Sequence, residues 1–545
     1  MTFPFALITA LVISMAIIPL MMRLAPRLGM VDMPDPRKVH ARPVPRVGGI
    51  GIILGAMASI VLWMPIEGWL LSYLCGSVVL LLFGAWDDSR ELGHYVKFIG
   101  QFAAAIGVVY WGGLWVAHFP FFRGELNPLF GKPFTVIAIV GMINAINHSD
   151  GLDGLAGGES LLSLGCLAYL GYAAGGLDLV IVVGAVIGGV FGFLRYNTHP
   201  ARVFMGDSGS QFLGFSLGVL AVHLTQQINP GLSMAVPALI LGLPIIDILA
   251  VFFQRIQQGM SWFRATRNHV HHRLLELGYQ HYQAVVIIYA VQAFFVICAI
   301  VLRYESDWTV IGVYLAGCTA VFALLVIAER RGWHAGGEGN QGEQTGLLGR
   351  LSSNPRIRRL PSLFVQATVP AYFIIASLSV KQIPADCGIA AMAVALAALV
   401  GVLIYRSATF APALVRLGVF SAAALLVYLV ERNASAGGTT HTTWYIGYFI
   451  LLAVTTGAAI RLGSESEFRT TPLDYLLVGL VLVSGILARG QINGFDLGAV
   501  IVQLVVLFYG CELVINRGSA AWNRMLSLAA MSAAMVVVLR FLAGG

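Results

Sequence analysis

NAINHSDGLDGLAGG, residues 144–158, is the stretch from which the rest of the chain can be read. It follows an apolar run, 134–142, that reads as the second half of a membrane span. Asn144, Asn147, His148, Asp150 and Asp153 therefore gather where that span ends, close to the membrane surface. They cannot lie deeper, because an ionisable side chain at the bilayer centre costs roughly 2.5–3.5 kcal/mol even on the lenient insertion scale. A polar turn is the simplest account, since Asp-Gly pairs are common in turns. The density of groups argues for more. Two amides and two acids, separated by glycines and without a Lys or Arg to neutralise them, make a poor turn. They make a good site for a cation or a metal-bound phosphate.

Working outward, composition sets the class. The chain has 545 residues, 58% of them hydrophobic and 11% charged, with mean hydropathy +0.83. A soluble domain carries about 25% charge, so this is a polytopic membrane protein. Only helices and closed barrels satisfy their backbone in lipid. Continuous apolar runs of about 20 residues, not alternating ten-residue ones, exclude the barrel and leave an all-α fold. The six cysteines lie in or near apolar runs and form no C-x-x-C pair, which disfavours a disulfide framework and a Cys zinc site. The formal charge of +7 fits basic loops on an anionic leaflet and gives no nucleic-acid footprint. The first apolar run lacks a basic lead and a small-residue cleavage site, so it is expected to be a retained span.

Spans are read at about 3–22, 47–66, 68–86, 98–116, 133–147, 157–175, 177–195, 210–226, 232–253, 283–302 and 308–328. That gives about 11 helices in a first domain, residues 1–330. Residues 331–361, rich in Gly, Gln and Arg, read as a cytoplasmic linker. About seven further spans follow in a C-terminal membrane extension, 362–545: 362–380, 386–405, 411–430, 442–460, 474–488, 497–515 and 521–541. Lys and Arg crowd alternate loops. One set holds Arg23, Arg27, Arg37, Lys38, Arg42 and Arg46, then Arg90 and Lys97, then Arg195 and Arg202, then Arg255 to Arg273. By the positive-inside rule these loops face the cytoplasm and the amino terminus lies outside.

Every cluster able to do chemistry falls in that set of loops. VDMPDPRKVHARPVPRVGG (31–49) is held extended by prolines, with Arg37, Lys38, His40 and Arg46 spaced to meet an anion or simply lipid phosphates. In AWDDSRELGHYVKFIGQ (85–101), adjacent Asp87 and Asp88 end a span, their side chains about 100° apart on a helix. One can meet a metal while the other takes a proton or an Arg, or both are a solvated terminus. RYNTHPARVFMGDSGSQFLGF (195–215) places Asp207 where a helix begins, either as its N-cap or as a magnesium ligand beside a phosphate held by the helix end. RIQQGMSWFRATRNHVHHRLLELG (255–278) carries His269, His271 and His272 with Arg267 and Arg273. H-x-H-H lacks the i, i+4 pairing of a zinc helix, so anion binding is the better reading. Asp247 follows Pro244 inside the ninth span, where a buried acid needs a partner and Pro should kink the helix. Together, the acids and basic groups suit a nucleotide-linked diphosphate held through Mg²⁺, and the apolar scaffold suits a lipid co-substrate.

These motifs, in this order, resemble the polyprenyl-phosphate N-acetylhexosamine-1-phosphate transferases, the WecA-type branch of the superfamily that includes phospho-MurNAc-pentapeptide transferase (MraY). The resemblance covers residues 1 to about 330, and HVHHRL is similar to the branch that uses UDP-N-acetylhexosamines. It implies transfer of HexNAc-1-phosphate from a UDP-N-acetylhexosamine, UDP-GlcNAc foremost, to undecaprenyl phosphate, yielding UMP. This would be the first membrane step of a surface glycan such as O-antigen. Mg²⁺ is the implied cofactor, with Mn²⁺ as a substitute. By the same resemblance Asp207 and Asp87 are metal ligands, and Asp87, Asp88, Asp150 and Asp153 form the catalytic set. Lys38, His40, Lys97, Asn147, Asn197, Arg255, His269, His271, His272 and Arg273 bind substrate. It further implies a multi-pass protein of the bacterial inner membrane, an active site facing the cytoplasm, and a homodimer. Thr266 stands where family members often have an acid, which bears on sugar choice. The rival from another class is a transporter or flippase of lipid-linked or nucleotide sugars. That reading asks for ionisable groups strung through the membrane, whereas here they gather on one face.

Overall fold

The computed structural model describes residues 2–34, 42–122, 124–260, 269–335, 355–404, 411–435, 440–462, 497–517 and 520–544. Lys38, His40, Thr266, Arg267 and the apolar run 474–488 lie outside the described residues. The chain forms two compact units, one within residues 1–337 and one from 338 onward.

The first unit runs α1 (Thr2–Leu28), α2 (Gly48–Trp63), α3 (Trp69–Arg90), α4 (His94–Ile106), α5 (Pro128–Ser149), α6 (Leu155–Ala173), α7 (Leu177–Asn197) and α8 (Gly206–His223). It continues with α9 (Val236–Ile240), α10 (Gly242–Gln257), α11 (Val270–Glu276), α12 (His281–Val301) and α13 (Asp307–Arg330). Two strands, β1 (Val31–Asp32) and β2 (Val44–Pro45), pair antiparallel at the foot of α1. Among the described residues of the whole chain, eight helices are long and apolar enough to cross a membrane. α6 and α8 are not among them. Both carry Gly, Ser and acidic residues and are buried along most of their length, so they face other helices and need not be as apolar as a lipid-facing span.

Local signals start and stop these helices where the sequence suggests. Asn127 caps α5, accepting the Leu129 N–H at 2.9 Å, with Pro128 at a first-turn position that needs no N–H. Gln280 and Gln283 form a capping box on α12. Three spans differ from expectation. The fourth is α4 continued by a π-helical turn, Gly107–Trp111, and the eighth is α8 continued likewise by Leu224–Ile228. The ninth is broken into α9 and α10 at Leu241, upstream of Pro244, which sits harmlessly in the first turn of α10. The break, not a kink at the proline, sets the direction of α10 and of Asp247 on it.

The second unit comprises α14 (Pro355–Ser379), α15 (Ala385–Ile404), α16 (Ala411–Ser435), α17 (Thr440–Leu462), α18 (Leu497–Arg517) and α19 (Ala520–Gly544). Its core is aliphatic and aromatic, with Phe373, Leu426, Leu452, Leu507 and Leu526 fully or almost fully buried. Arg416 on α16 donates from Nε and from a terminal nitrogen to Glu512 on α18, each at 3.0 Å, so this half-buried pair neutralises its own charge.

Candidate active site

The last turns of α3 and α5 and the first turns of α4 and α8 meet at one end of the first unit. Helix ends leave backbone groups unsatisfied, and here side chains of the neighbouring helices fill them. Asp88, 4% exposed, accepts the Asp207 N–H at 2.7 Å, the Ser208 N–H at 3.2 Å and the Ser208 hydroxyl at 3.0 Å. It caps the start of α8 from another helix. The approach is possible because Gly84 on α3 has no Cβ: one there would stand 2.3 Å from the Ser208 Cα. Gly206 has φ +76° and would place a Cβ 2.6 Å from the Asp88 carboxylate, so only glycine suits the turn.

Asp87, 2% exposed, points the other way. Its Oδ1 accepts the Leu92 N–H at 2.6 Å, and its Oδ2 lies 2.5 Å from Lys97 Nζ. The same ammonium is 3.0 Å from Asp207 Oδ2. Burial would lower the pKa of Lys97, but the two carboxylates outweigh it and hold it above its usual value. Asn147 donates to Asp207 Oδ1 at 2.5 Å and to Ser210 Oγ at 2.8 Å. Behind it, Asn144 donates to Gln101 at 2.7 Å, tying α5 to α4. Asp150, just past α5, is desolvated and repelled by Asp207 and Asp153, which pushes its carboxyl up to about 7. Asp87 and Asp207 thus flank one lysine, while Asp88 holds the backbone of Asp207 and Asp150 lies within its electrostatic reach.

The other expected site residues are placed less uniformly. Asp153 Oδ2 meets His199 Nδ1 at 2.7 Å and accepts the Ala201 N–H at 3.0 Å, while its own N–H donates to His281 Nε2 at 3.1 Å. Asn197 joins two loops: its Oδ1 accepts the Gly154 N–H and its Nδ2 donates to the Val203 carbonyl, both at 2.8 Å. Both ends of its amide are engaged by backbone, so it braces the two loops. Arg273 forms a bidentate pair with Glu329 on α13 at 2.7 and 2.8 Å, and likewise faces a protein carboxylate. Arg255 is buried at the end of α10, over the Phe252 ring. His148, His269 and His271 stack in series, His148 against His269 at 5.3 Å, and His272 lies tilted beside His271. In the first loop, Arg46 pairs with Asp32, and the backbone there bridges to Phe204, so the loop's return leg lies beside the start of α8. His199 and His281 were not singled out from sequence: His199 lies within the 195–215 stretch but was passed over there, and His281 has no motif around it.

Chemically, this is a buried cluster of hard oxygen donors with one ammonium already between two of them. It can hold a small divalent cation and the oxygens of a diphosphate. The family model described as glycosyl transferase family 4 matches residues 70–225. A Bacillus subtilis (strain 168) protein named as a probable undecaprenyl-phosphate N-acetylglucosaminyl 1-phosphate transferase is 36% identical over 308 residues, 56% of this chain and 86% of that protein. The chain belongs to this transferase family. Two further members, the undecaprenyl-phosphate alpha-N-acetylglucosaminyl 1-phosphate transferases of Yersinia pestis and Escherichia coli (strain K12), are 28% and 27% identical. They align with 60% and 57% of this chain and 91% and 86% of their own lengths. These similarities leave the C-terminal part unmatched. The glycosyl transferase family 4 match runs from α3 through α8, and so takes in Asp87, Asp88, Lys97, Asn147, Asp150, Asp153 and Asp207 together.

Proposed function

We propose that the protein transfers N-acetylglucosamine-1-phosphate from UDP-N-acetylglucosamine to undecaprenyl phosphate, with the site at the cytoplasmic end of the first unit. The observation that carries this is the shared ammonium: Lys97 bridges Asp87 and Asp207, on two helices, at the point where both helix ends open. The names of the relatives support the donor and the lipid.

A non-bridging oxygen of the lipid phosphate attacks the sugar-bearing phosphorus of the donor. The bond from that phosphorus to the bridging oxygen breaks, and the electron pair leaves with UMP. A phosphate monoester has its second pKa near 6, so the nucleophile is already dianionic at neutral pH and no strong base is required. Electrostatics is the main obstacle, since two anions must meet. Lys97 neutralises charge between Asp87 and Asp207, Asn147 orients the Asp207 carboxylate, and Asp88 keeps the start of α8 rigid beneath it. The donors present fit Mg²⁺, with Mn²⁺ as a substitute: Asp207 and Asp87 are hard carboxylate ligands already placed around a cation, the ammonium of Lys97. Bound there, the metal would supply charge stabilisation to the diphosphate oxygens. The basic loops, counted by the positive-inside rule, support a cytoplasmic site and an outside amino terminus.

The test is UMP release by the purified full chain given UDP-N-acetylglucosamine, a short polyprenyl phosphate and Mg²⁺. Metal-dependent release is expected. A chain that releases none, while binding or moving the lipid-linked sugar, would be a transporter instead.

A further inference from the structure

Asp247 on α10 is buried at 6% exposure, and its two oxygens are both committed to one short segment. Oδ2 meets His269 Nδ1 at 2.7 Å, and Oδ1 accepts the Val270 N–H at 2.9 Å. Val270 opens α11, and His269 is its extended N-terminal flank, with φ −66° and ψ 151°. The carboxylate therefore grips the histidine segment at two adjacent points from a separate helix. Because one carboxylate oxygen faces a backbone N–H, which only donates, the group must act as an acceptor there. When the carboxylate accepts at its other oxygen too, as an ionised acid must, His269 Nδ1 carries the proton and Nε2 is the nitrogen left for a ligand. The ring is also fixed in plane, stacked between His148 at 5.3 Å and His271 at 5.8 Å. His148 in turn stands within electrostatic reach of Asp207, Arg255 and Asp247 as well as His269. The imidazole is thus linked through one neighbour to the end of the bundle where Asp207 sits.

We propose that Asp247 is a positioning residue for the transfer reaction: it holds His269 in one tautomer and one orientation, so that Nε2 is presented to the diphosphate of the donor. A carboxylate behind a histidine orients the ring, selects the tautomer and stabilises the imidazolium that donates to an anion. This rests on the transfer reading above. The Val270 contact separates the two jobs the carboxylate could have, because capping α11 and orienting His269 use different oxygens.

The experiment compares the full-length chain with Asp247→Asn, His269→Ala, the double variant and Val270→Pro, measuring kcat, both KM values and the thermal unfolding midpoint. An amide cannot accept from both His269 and Val270 as the carboxylate does. Asp247→Asn is expected to lower kcat by about 10–100-fold, as loss of such a partner does, with the lipid-phosphate KM unchanged. In the His269→Ala background the same change should have no further effect, because the two act as a unit. Val270→Pro deletes the capped N–H and exchanges one buried apolar side chain for another of similar size, at a helix position and after a residue whose conformation suits proline, and should keep kcat close to wild type. Losses that multiply in the double variant would overturn the proposal. So would Val270→Pro reproducing the loss, or an Asp247→Asn enzyme with unchanged kcat. If the wild-type chain released no UMP, the transfer reading itself would fail. Release by wild type with any contrary result above removes only the role of Asp247.

Discussion

The Asp88 carboxylate accepts the backbone N–H of Asp207 at 2.7 Å, so the helix that carries one acid is capped by another acid 119 residues earlier. Its neighbour Asp87 faces Lys97 instead. Adjacent acids on one helix end thus have different partners, one bracing the start of α8 and one facing an ammonium.

Substitution should separate the two. Asp88→Ala removes the acceptor of three hydrogen bonds and is expected to cost about 1–2 kcal/mol, the range of a lost helix cap, seen as a lower unfolding midpoint. Asp87→Asn should leave the midpoint nearly unchanged and slow UMP release. Asp207→Asn should slow it further, since Asp207 is the acid held by both Lys97 and Asn147. Equal stability losses for Asp87→Asn and Asp88→Ala would contradict this division.

Lys97→Gln leaves Asp87 and Asp207 facing one another without their counter-charge. The remaining negative site should attract Mg²⁺ more strongly while turnover falls by at least about tenfold, of the order of one lost charge-assisted hydrogen bond. Titrating activity against Mg²⁺ reads both quantities. An unchanged Mg²⁺ requirement would mean that Lys97 and the metal do not share the same acids. Stripping divalent ions from the wild type should abolish release, and Mg²⁺ or Mn²⁺ should restore it.

Two glycine substitutions should move stability in opposite directions. A Cβ on Gly84 would meet the Ser208 backbone at 2.3 Å, and backbone cannot swing aside. Gly84→Ala is expected to cost about 1–3 kcal/mol and to reduce activity by separating α3 from α8. Gly141, on α5, has open space around the point where a methyl group would stand, with nothing within 4 Å. Gly141→Ala should therefore add roughly 0.5–1 kcal/mol through helix propensity. Thermal melts of both variants in the same detergent decide it.

Asn197 offers a further contrast. Replacing it by Ala strands the Gly154 N–H and the Val203 carbonyl, each buried group costing about 1–3 kcal/mol. The midpoint should fall, with little change in the donor KM of the enzyme that remains folded. A selective rise in that KM, with normal stability, would return Asn197 to the binding surface.

Much of the site was legible in the motifs. Asp87, Asn147 and Asp207 were expected together and do converge, because each motif places its polar residue at a helix end on the same side of the bundle. The partners of individual side chains were not legible. Arg273 meets Glu329 56 residues later, and Asp153 meets His199 and His281, 46 and 128 residues away. Such choices depend on how each helix is rotated and where α9 and α10 break, and no local pattern encodes those.

Taken alone, the sequence determined that the chain is helical and membrane-spanning and that its chemistry gathers at the loop ends, because hydrocarbon tolerates neither bare backbone nor unpaired charge. Which helices lie inside was decided only by tertiary packing. The most apolar 18-residue stretches of α1 and α7 have nearly equal hydropathy, 2.5 and 2.4, yet 22% of one and 78% of the other is buried within the protein. Lipid tails are as apolar as leucine, so hydropathy cannot tell a helix facing lipid from one facing protein. The same packing turned Asp87 toward Lys97 and Asp88 toward the start of α8, a division that two consecutive aspartates in a sequence leave open.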